Sequence, residues 1–329
     1  MACARATDNT RIALPRAHPR RTAAAFAAIV YLALPLGVHG AGTESFALKE
    51  IAAGVYVHPG QALALDAPGH DDIANIGFVV GTRCVAVVDT GGSVRIGRAL
   101  RAAIGRHTRL PVCYVINTHV HVDHVLGNAA FTGDKPQFVG HADLGAALTR
   151  SRDFFLKNYA ADLDPPASAT QIIEPGQLVA IGRDLELDLG GRRLILRAWG
   201  KAHTDCDLTV YEAQSRTLFS GDLLFVQRTP VLDGSISGWL KAIDTLAAQP
   251  AAHVIPGHGE VQSDARAAFA AERAYLEGLL DGVRAQLAQG KPLQEAIREL
   301  QSPTQVGWLL WDETQPRNVA RAYQELEWE

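Results

Sequence analysis

Three imidazoles and a carboxylate fall within six residues at His119-Val120-His121-Val122-Asp123-His124. Neutral imidazole and carboxylate are the donors that suit zinc and its neighbours. Two histidines one residue apart point the same way from an extended turn, so His119 and His121 can reach one ion. Asp123 and His124 face a point slightly further along, and the run offers more donors than one tetrahedral ion takes from a single segment. Further donors stand at three later places: His203 in Ala202-His203-Thr204, Asp222 in Ser220-Gly221-Asp222, and His258 in Gly257-His258-Gly259. Each ends a strand-like segment and opens a loop, where a side chain points into a cleft from a rigid base. A lone His or Asp at a strand end is usually a capping or hydrogen-bonding residue. Four such stations in this order read as a metal site with two ions side by side. A water shared by two ions loses its proton near neutral pH and becomes a nucleophile, so the expected chemistry is metal-assisted hydrolysis.

The elements that have to place these residues follow from periodicity. Gly77 to Val88 reads as two strands about a Gly81-Thr82-Arg83 turn, followed by a helix from Val94 to Ile104. Leu110 to Ile116 is a buried strand that delivers the histidine-rich turn, and Asp123 can also cap a short helix through Asn128. A strand at Phe138-Val139 and a helix near Ala142 to Lys157 complete the first half. Strands over Arg193 to Ala198, Asp207 to Tyr211 and Thr217 to Ser220, a helix from Trp239 to Ala248 and a strand from His253 to Ile255 form the second. Strands mixed with helices in this order suit an α/β sandwich. Beyond Asp264, Leu276, Leu280, Val283 and Leu287 fall at steps of three or four, one face of a long helix that Gly290-Lys291-Pro292 stops. Helices from Leu293 to Leu300 and from Asn318 to Glu327 follow, with Trp308, Trp311 and Trp328 expected to anchor them. Pieces this short make a thin core, so they read as an extension packed on the sandwich.

The chain of 329 residues, 47% apolar and 20% charged, can bury a large core. Its start differs from the rest. Arg5, Arg11, Arg16, Arg20 and Arg21 precede an apolar run from Ala23 to Leu36, and small residues at Val38-His39-Gly40 lead to Ala41. Residues 1–40 read as a secretory signal peptide, which places the mature chain in the periplasm or outside the cell with no stable membrane span. The alternative, an uncleaved anchor, is disfavoured by the shortness of the run and by Pro35. The leader holds five arginines and one aspartate, so the net charge of −4 for the whole chain becomes −8 for the remainder. No basic stripe is left to grip a phosphate backbone, and nucleic acid is not an expected partner. Cys84 and Cys113 lie in apolar runs and read as small core residues, with a disulfide open to them in an oxidising compartment. Cys206 reads as a packed thiol.

Taken together, His119, His121, Asp123, His124, His203, Asp222 and His258 resemble the ligand pattern of the metallo-β-lactamase superfamily, over residues 47–262. The resemblance implies a four-layer αββα sandwich with a dinuclear site at one edge. The hydrolase domain would span 41–262 and a C-terminal helical extension 263–329. Carried over by motif, it implies one zinc ion held by His119, His121 and His203, a second held by Asp123, His124 and His258, and Asp222 bridging the two. Asp123 is then placed to orient the hydroxide by hydrogen bonding, as a catalytic residue. Lactamases of this fold tend to carry Cys or Ser where this chain has Asp222, and the bridging carboxylate looks more like the glyoxalase II and wider hydrolase branches. The stretches Ile73-Ala74-Asn75-Ile76-Gly77-Phe78, Asp89-Thr90-Gly91-Gly92-Ser93 and Val231-Leu232-Asp233-Gly234-Ser235 are similar to the quinoprotein relay system zinc metallohydrolases. So is the tail, Pro316-Arg317-Asn318-Val319-Ala320 and Tyr323 to Glu329. This implies a link to quinoprotein dehydrogenase systems.

The expected function is an exported dinuclear zinc-dependent hydrolase that turns a metal-bound hydroxide on a small-molecule substrate. One alternative is a β-lactamase or glyoxalase II-like thioesterase; another, from a different class, is a non-catalytic metal-dependent binding protein for a quinone cofactor. Loops Gln61 to Asp72 and Gln227 to Gly238 are the candidates for substrate choice. Arg228 either binds an anionic group or is simply solvated. Asp89 either partners a ligand histidine or caps its own turn. His58 and His70 read as solvent-facing and His253 as a core residue. No Lys follows Asp222 closely, and a cleft without a placed cation cannot hold an anionic end against the metal. Weak lactam hydrolysis and better turnover of esters or thioesters are therefore expected.

Overall fold

Short, mostly buried apolar runs build two sheets in the computed structural model, which describes residues 46–302 and 307–328. The leader over 1–40 lies outside the described residues. In the first sheet, β1 (Lys49–Ala52), β2 (Val55–His58), β3 (Ile76–Val80) and β4 (Val85–Val88) pair antiparallel. β5 (Val112–Ile116), β6 (Gln137–His141) and β7 (Gln177–Val179) continue it in parallel. In the second sheet, β8 (Leu185–Asp188), β9 (Arg193–Ala198), β10 (Leu208–Glu212) and β11 (Thr217–Phe225) pair antiparallel, and β12 (His253–His258) adds in parallel to β11. The pleat sends alternate side chains to opposite faces. Val79, Ala86, Val88, Ile116 and Val139 of the first sheet thus meet Leu194, Leu196, Leu208, Val210 and Phe219 of the second in the central core.

Helices cover the outer faces. α1 (Val94–His107) opens at Ser93, whose hydroxyl accepts from the Ile96 N–H, and lays Ile96, Leu100 and Ile104 over Ile76, Phe78 and Val87. α2 (Val122–Val125) and α3 (Leu144–Asn158) pack together through Val122, Val125, Leu144 and Leu148. On the other side, α4 (Ile236–Ala247), α5 (Ala265–Ala288), α6 (Leu293–Glu299) and α7 (Trp311–Leu326) share one apolar cluster with Leu218 of β11 and Val254 of β12. The result is the four-layer αββα sandwich expected from the ligand pattern, with a C-terminal helical region.

Several local expectations are corrected. β1, β2, β7 and β8 are three or four residues long, too short for a readable alternation. β11 runs on to Phe225, beyond Ser220; all of it is buried, so no polar residue marks where it leaves the core. α7 starts at Trp311 and carries Pro316 inside its second turn, where the missing N–H costs one intrahelical bond without ending the helix. On α5 the inward face is Phe269, Leu276, Leu279 and Val283, with Leu280 and Leu287 only part buried. Trp311 is buried and Trp308 packs on Tyr275, but Trp328 is 85% exposed and anchors nothing. Cys84 and Cys113 form a disulfide that staples β4 to β5, and Cys206 is a buried free thiol. No helix among the described residues is long and apolar enough to cross a membrane.

Candidate metal centre

All seven expected donors reach one edge of the sandwich. β5 leads through Asn117 and Thr118 to His119; His121 precedes α2, which carries Asp123 and His124. His203 lies in the turn between β9 and β10, Asp222 within β11 and His258 at the end of β12. The donor atoms of His119, His121, His203 and Asp222 lie within 4.8 Å of one another, and so do those of Asp123, His124 and His258. Asp222 reaches both groups: its Oδ2 is 3.7 Å from His119 Nε2, 3.4 Å from His203 Nε2 and 3.3 Å from His258 Nε2, and its Oδ1 is 3.1 Å from His124 Nε2. Asp123 Oδ2 lies 3.3 Å from His258 Nε2. Close packing enforces this: a Cβ on Gly257 would sit 1.8 Å from Asp222 Oδ1.

Each histidine is held from behind by its other nitrogen. His119 Nδ1 donates to Thr118 Oγ1 (3.0 Å), whose hydroxyl donates to Asp89 Oδ2 (2.7 Å). His124 Nδ1 donates to the same Asp89 oxygen at 2.8 Å. His203 Nδ1 donates to Val231 O (2.6 Å), His258 Nδ1 to Ile73 O (2.8 Å) and His121 Nε2 to Asp233 Oδ2 (2.8 Å). Acceptors behind fix the tautomers and leave a bare lone pair on each inner nitrogen. Of the two roles open to Asp89, it takes the partner of a candidate ligand histidine, from a left-handed backbone (φ 55°).

The residues fit a metal. His119 Nε2, His124 Nε2 and Asp222 Oδ1 are buried without a hydrogen-bond partner, a state that costs about 1–3 kcal/mol per group. His203 Nε2 and His121 Nδ1 face each other at 3.1 Å as lone pairs, a contact that only a proton or a cation makes favourable. Nitrogen and oxygen donors without sulfur suit zinc and its neighbours. The electrostatics agree. Burial alone would raise the Asp222 carboxyl, but His258 and His124 hold it well below the carboxylate range. Asp123 is likewise kept low, since His124 and His258 outweigh its burial. Burial lowers His203 to about 4 and pushes His119 down too, so both are neutral and ready to ligate. His124 is raised, because Asp222, Asp89 and Asp123 outweigh burial; protons and metal therefore compete for it as pH falls.

Three supporting residues, Asp233, Asn75 and Thr118, escape the sequence reading. Asp233 and Asn75 lay inside quoted stretches but had no role assigned. Asn75 donates to Pro256 O and Gly259 O, pinning the turn before and after His258. Thr118 relays His119 to Asp89, and Arg228 is not solvated. Arg228 is 7% exposed, lines a cavity of about 410 Å³ with His258, Gln61 and Val226, and has no carboxylate in ion-pair range among the described residues. Its Nη1 is 3.1 Å from His258 Nδ1. That nitrogen already donates to Ile73 O, so it offers the guanidinium no acceptor. His58 is also corrected: it is buried, stacked on Phe46, with Nε2 2.6 Å from Asp72 Oδ1. His70 is partly exposed and pairs with Asp162, and His253 is half-buried at the start of β12.

The sequence profile of the metallo-beta-lactamase superfamily matches residues 70–258, more than half of the chain, and the chain belongs to that superfamily. It is a metal-dependent hydrolase. No curated protein is matched by sequence. Among solved structures, the fold is similar to a metallo-beta-lactamase from Pontibacter korlensis, at 19% identity over 70% of this chain and 98% of that one, TM-score 0.56. It is also similar to the stereoselective inverting sec-alkylsulfatase Pisa1 from Pseudomonas sp., at 16% identity over 85% of this chain and 50% of that one, TM-score 0.62. This chain thus spans half of the sulfatase's length, and at these identities the likeness is one of fold.

Proposed function

We propose that this hydrolase is exported, uses two zinc ions, and cleaves a small substrate that carries an anionic group. The observation that carries the reading is the convergence of five imidazoles and two carboxylates on one buried point, each imidazole held from behind. His119, His121 and His203 would hold one ion, Asp123, His124 and His258 the other, with Asp222 shared. Bound zinc supplies Lewis acidity, polarising the scissile bond and lowering the pKa of a water. Asp123 stays ionised and so can accept a hydrogen bond from the nucleophile and orient it. Arg228 supplies positioning: its unpaired guanidinium holds an anion beside His258, which keeps the reacting bond near the donors.

Arg228 also favours a second reading, β-lactam hydrolysis. The expectation of weak lactam turnover rested on a cleft without a placed cation, and this cleft has one. What still speaks for an ester or thioester is Asp222 in place of Cys or Ser. Export is supported by the disulfide, which belongs in an oxidising compartment, and by the leader-like start. The link to quinoprotein systems rests on the resemblance of the quoted stretches alone.

Metal analysis of the purified chain, with a screen of ester, thioester, lactam and phosphodiester substrates in anionic and neutral pairs, tests the proposal. About two zinc ions per chain are expected, with hydrolysis that vanishes on chelation and returns with zinc. A single tight ion sinks the dinuclear claim, and equal kcat/KM for neutral and anionic partners sinks the role of Arg228.

A further inference from the structure

The segment 230–237 supports two of the histidines and is itself supported from the C-terminal helices. Val231 O accepts from His203 Nδ1 at 2.6 Å, and Asp233 Oδ2 accepts from His121 Nε2 at 2.8 Å. The same segment is laced to the turn that carries His203, through Asp233 N to His203 O (3.0 Å) and Ser235 N to Ala202 O (2.7 Å). The approach is so close that a Cβ on Gly234 would lie 2.1 Å from Ala202 O. Moving this segment therefore moves His121 and His203 together.

α7 holds it along its length with three side chains. Asn318, 1% exposed, accepts from Leu232 N (2.9 Å) and donates to Pro230 O and to Tyr275 Oη of α5, whose own hydroxyl donates to Gln315. Arg321 donates to the carbonyls of Asp233 (3.0 Å) and Gly234. Glu325 accepts from Ser235 Oγ (2.7 Å) and Ile236 N (2.9 Å), at the start of α4. The other three histidines have no such dependence: His119 and His124 rest on Thr118 and Asp89, and His258 on Ile73 O. Residues 311–326 lie outside the span that the superfamily profile matches.

We infer that α7 is a positioning element for one half of the centre: Asn318, Arg321 and Glu325 set the ligand geometry of His121 and His203 through the 230–237 segment, without touching the ion. The inference rests on the dinuclear reading above. Partners that orient ligating histidines affect metal affinity by about 10–100-fold, and α7 acts one layer further out through the same contacts.

The test uses the full mature chain with Asn318→Ala, Arg321→Ala and Glu325→Gln, and Val283→Ala on α5 as a packing control that leaves every one of these hydrogen bonds in place. Zinc retention is followed against graded chelator, and cobalt(II) loading by its visible absorption, alongside a thermal melt. The expected result is that one of two ions is lost roughly tenfold more readily in the α7 variants, with the other ion unchanged and Val283→Ala like wild type. Folded α7 variants that keep both ions as tightly as wild type overturn the inference, and so does an equal loss in Val283→Ala. Arg321 is part exposed, so its variant is read even where Asn318→Ala fails to fold. If the wild-type chain takes up a single ion, the dinuclear reading fails by itself, and the inference is judged on that ion's retention in the same variants.

Discussion

Asp222 is the residue on which both halves of the centre depend. Its two oxygens face His119, His203 and His258 on one side and His124 on the other. If two zinc ions are bound as proposed, Asp222→Ala would remove a donor to both and leave two cations unscreened, so activity should fall by orders of magnitude. Near-normal turnover with full zinc content would show the carboxylate to be structural. Asp207, close to His203, makes a separate prediction about pH. It is buried, accepts from Thr204 N and Oγ1, and its burial pushes it up to about 7 from an ordinary 3.8. A carboxyl raised in the folded state contributes stability that is present below the ordinary value and lost as pH rises through the folded one. Asp207→Asn cannot ionise. The melting temperature of wild type minus that of the variant, measured in excess zinc, should therefore decline between about pH 4 and pH 7 and level off above it. A flat difference would mean that Asp207 does not titrate in this window. Arg228→Gln should raise KM for anionic substrates and leave neutral ones unchanged, since only the former lose a charged partner; kinetics on matched pairs decide it.

At the scale of elements, the parallel pair β4 and β5 carries the most consequence. β4 leads to Asp89, which holds His124, and β5 leads to Thr118 and His119. The Cys84–Cys113 disulfide staples these strands at the opposite end, across a sequence separation of 29. Closing a loop of that size restricts the unfolded chain and stabilises the fold by about 2–4 kcal/mol. Reducing agent should lower the melting temperature of wild type and leave Cys84→Ser unmoved. An unchanged wild-type melt would mean that the bond does not form in solution, and the argument for export would lose its structural support.

For the whole molecule, the charge distribution and the start of the chain matter. Without its first forty residues the protein would be acidic, net −8, and on the proposed reading the buried guanidinium of Arg228, which has no carboxylate in ion-pair range among the described residues, is the local exception that would draw an anion to the cleft. The mature protein is expected to begin near Ala41. N-terminal sequencing of protein recovered from the periplasm checks this; a chain starting at Met1 in the membrane fraction would make the Ala23 to Leu36 run an anchor.

The candidate donors that converge at the centre were legible because metal chemistry is local: residue type and spacing in His119 to His124, and a strand-then-donor pattern at His203, Asp222 and His258, are properties of short segments. β4, β5 and α1 were legible for the same reason, since side-chain period follows backbone geometry within one element. What only the tertiary structure decided are the long-range partnerships. Asp233 meets His121 across 112 residues and Asn318 meets Leu232 across 86. Arg228 is buried because its segment pairs with Leu309, and His58 because it stacks on Phe46 and pairs with Asp72. A charged or polar side chain is solvated by default, and its sequence neighbours carry no sign that the fold will bring a distant surface over it. The sequence by itself determined which atoms could hold a metal. Which side chains aim those atoms, and where a free cation waits beside them, followed from packing between segments that the sequence keeps far apart.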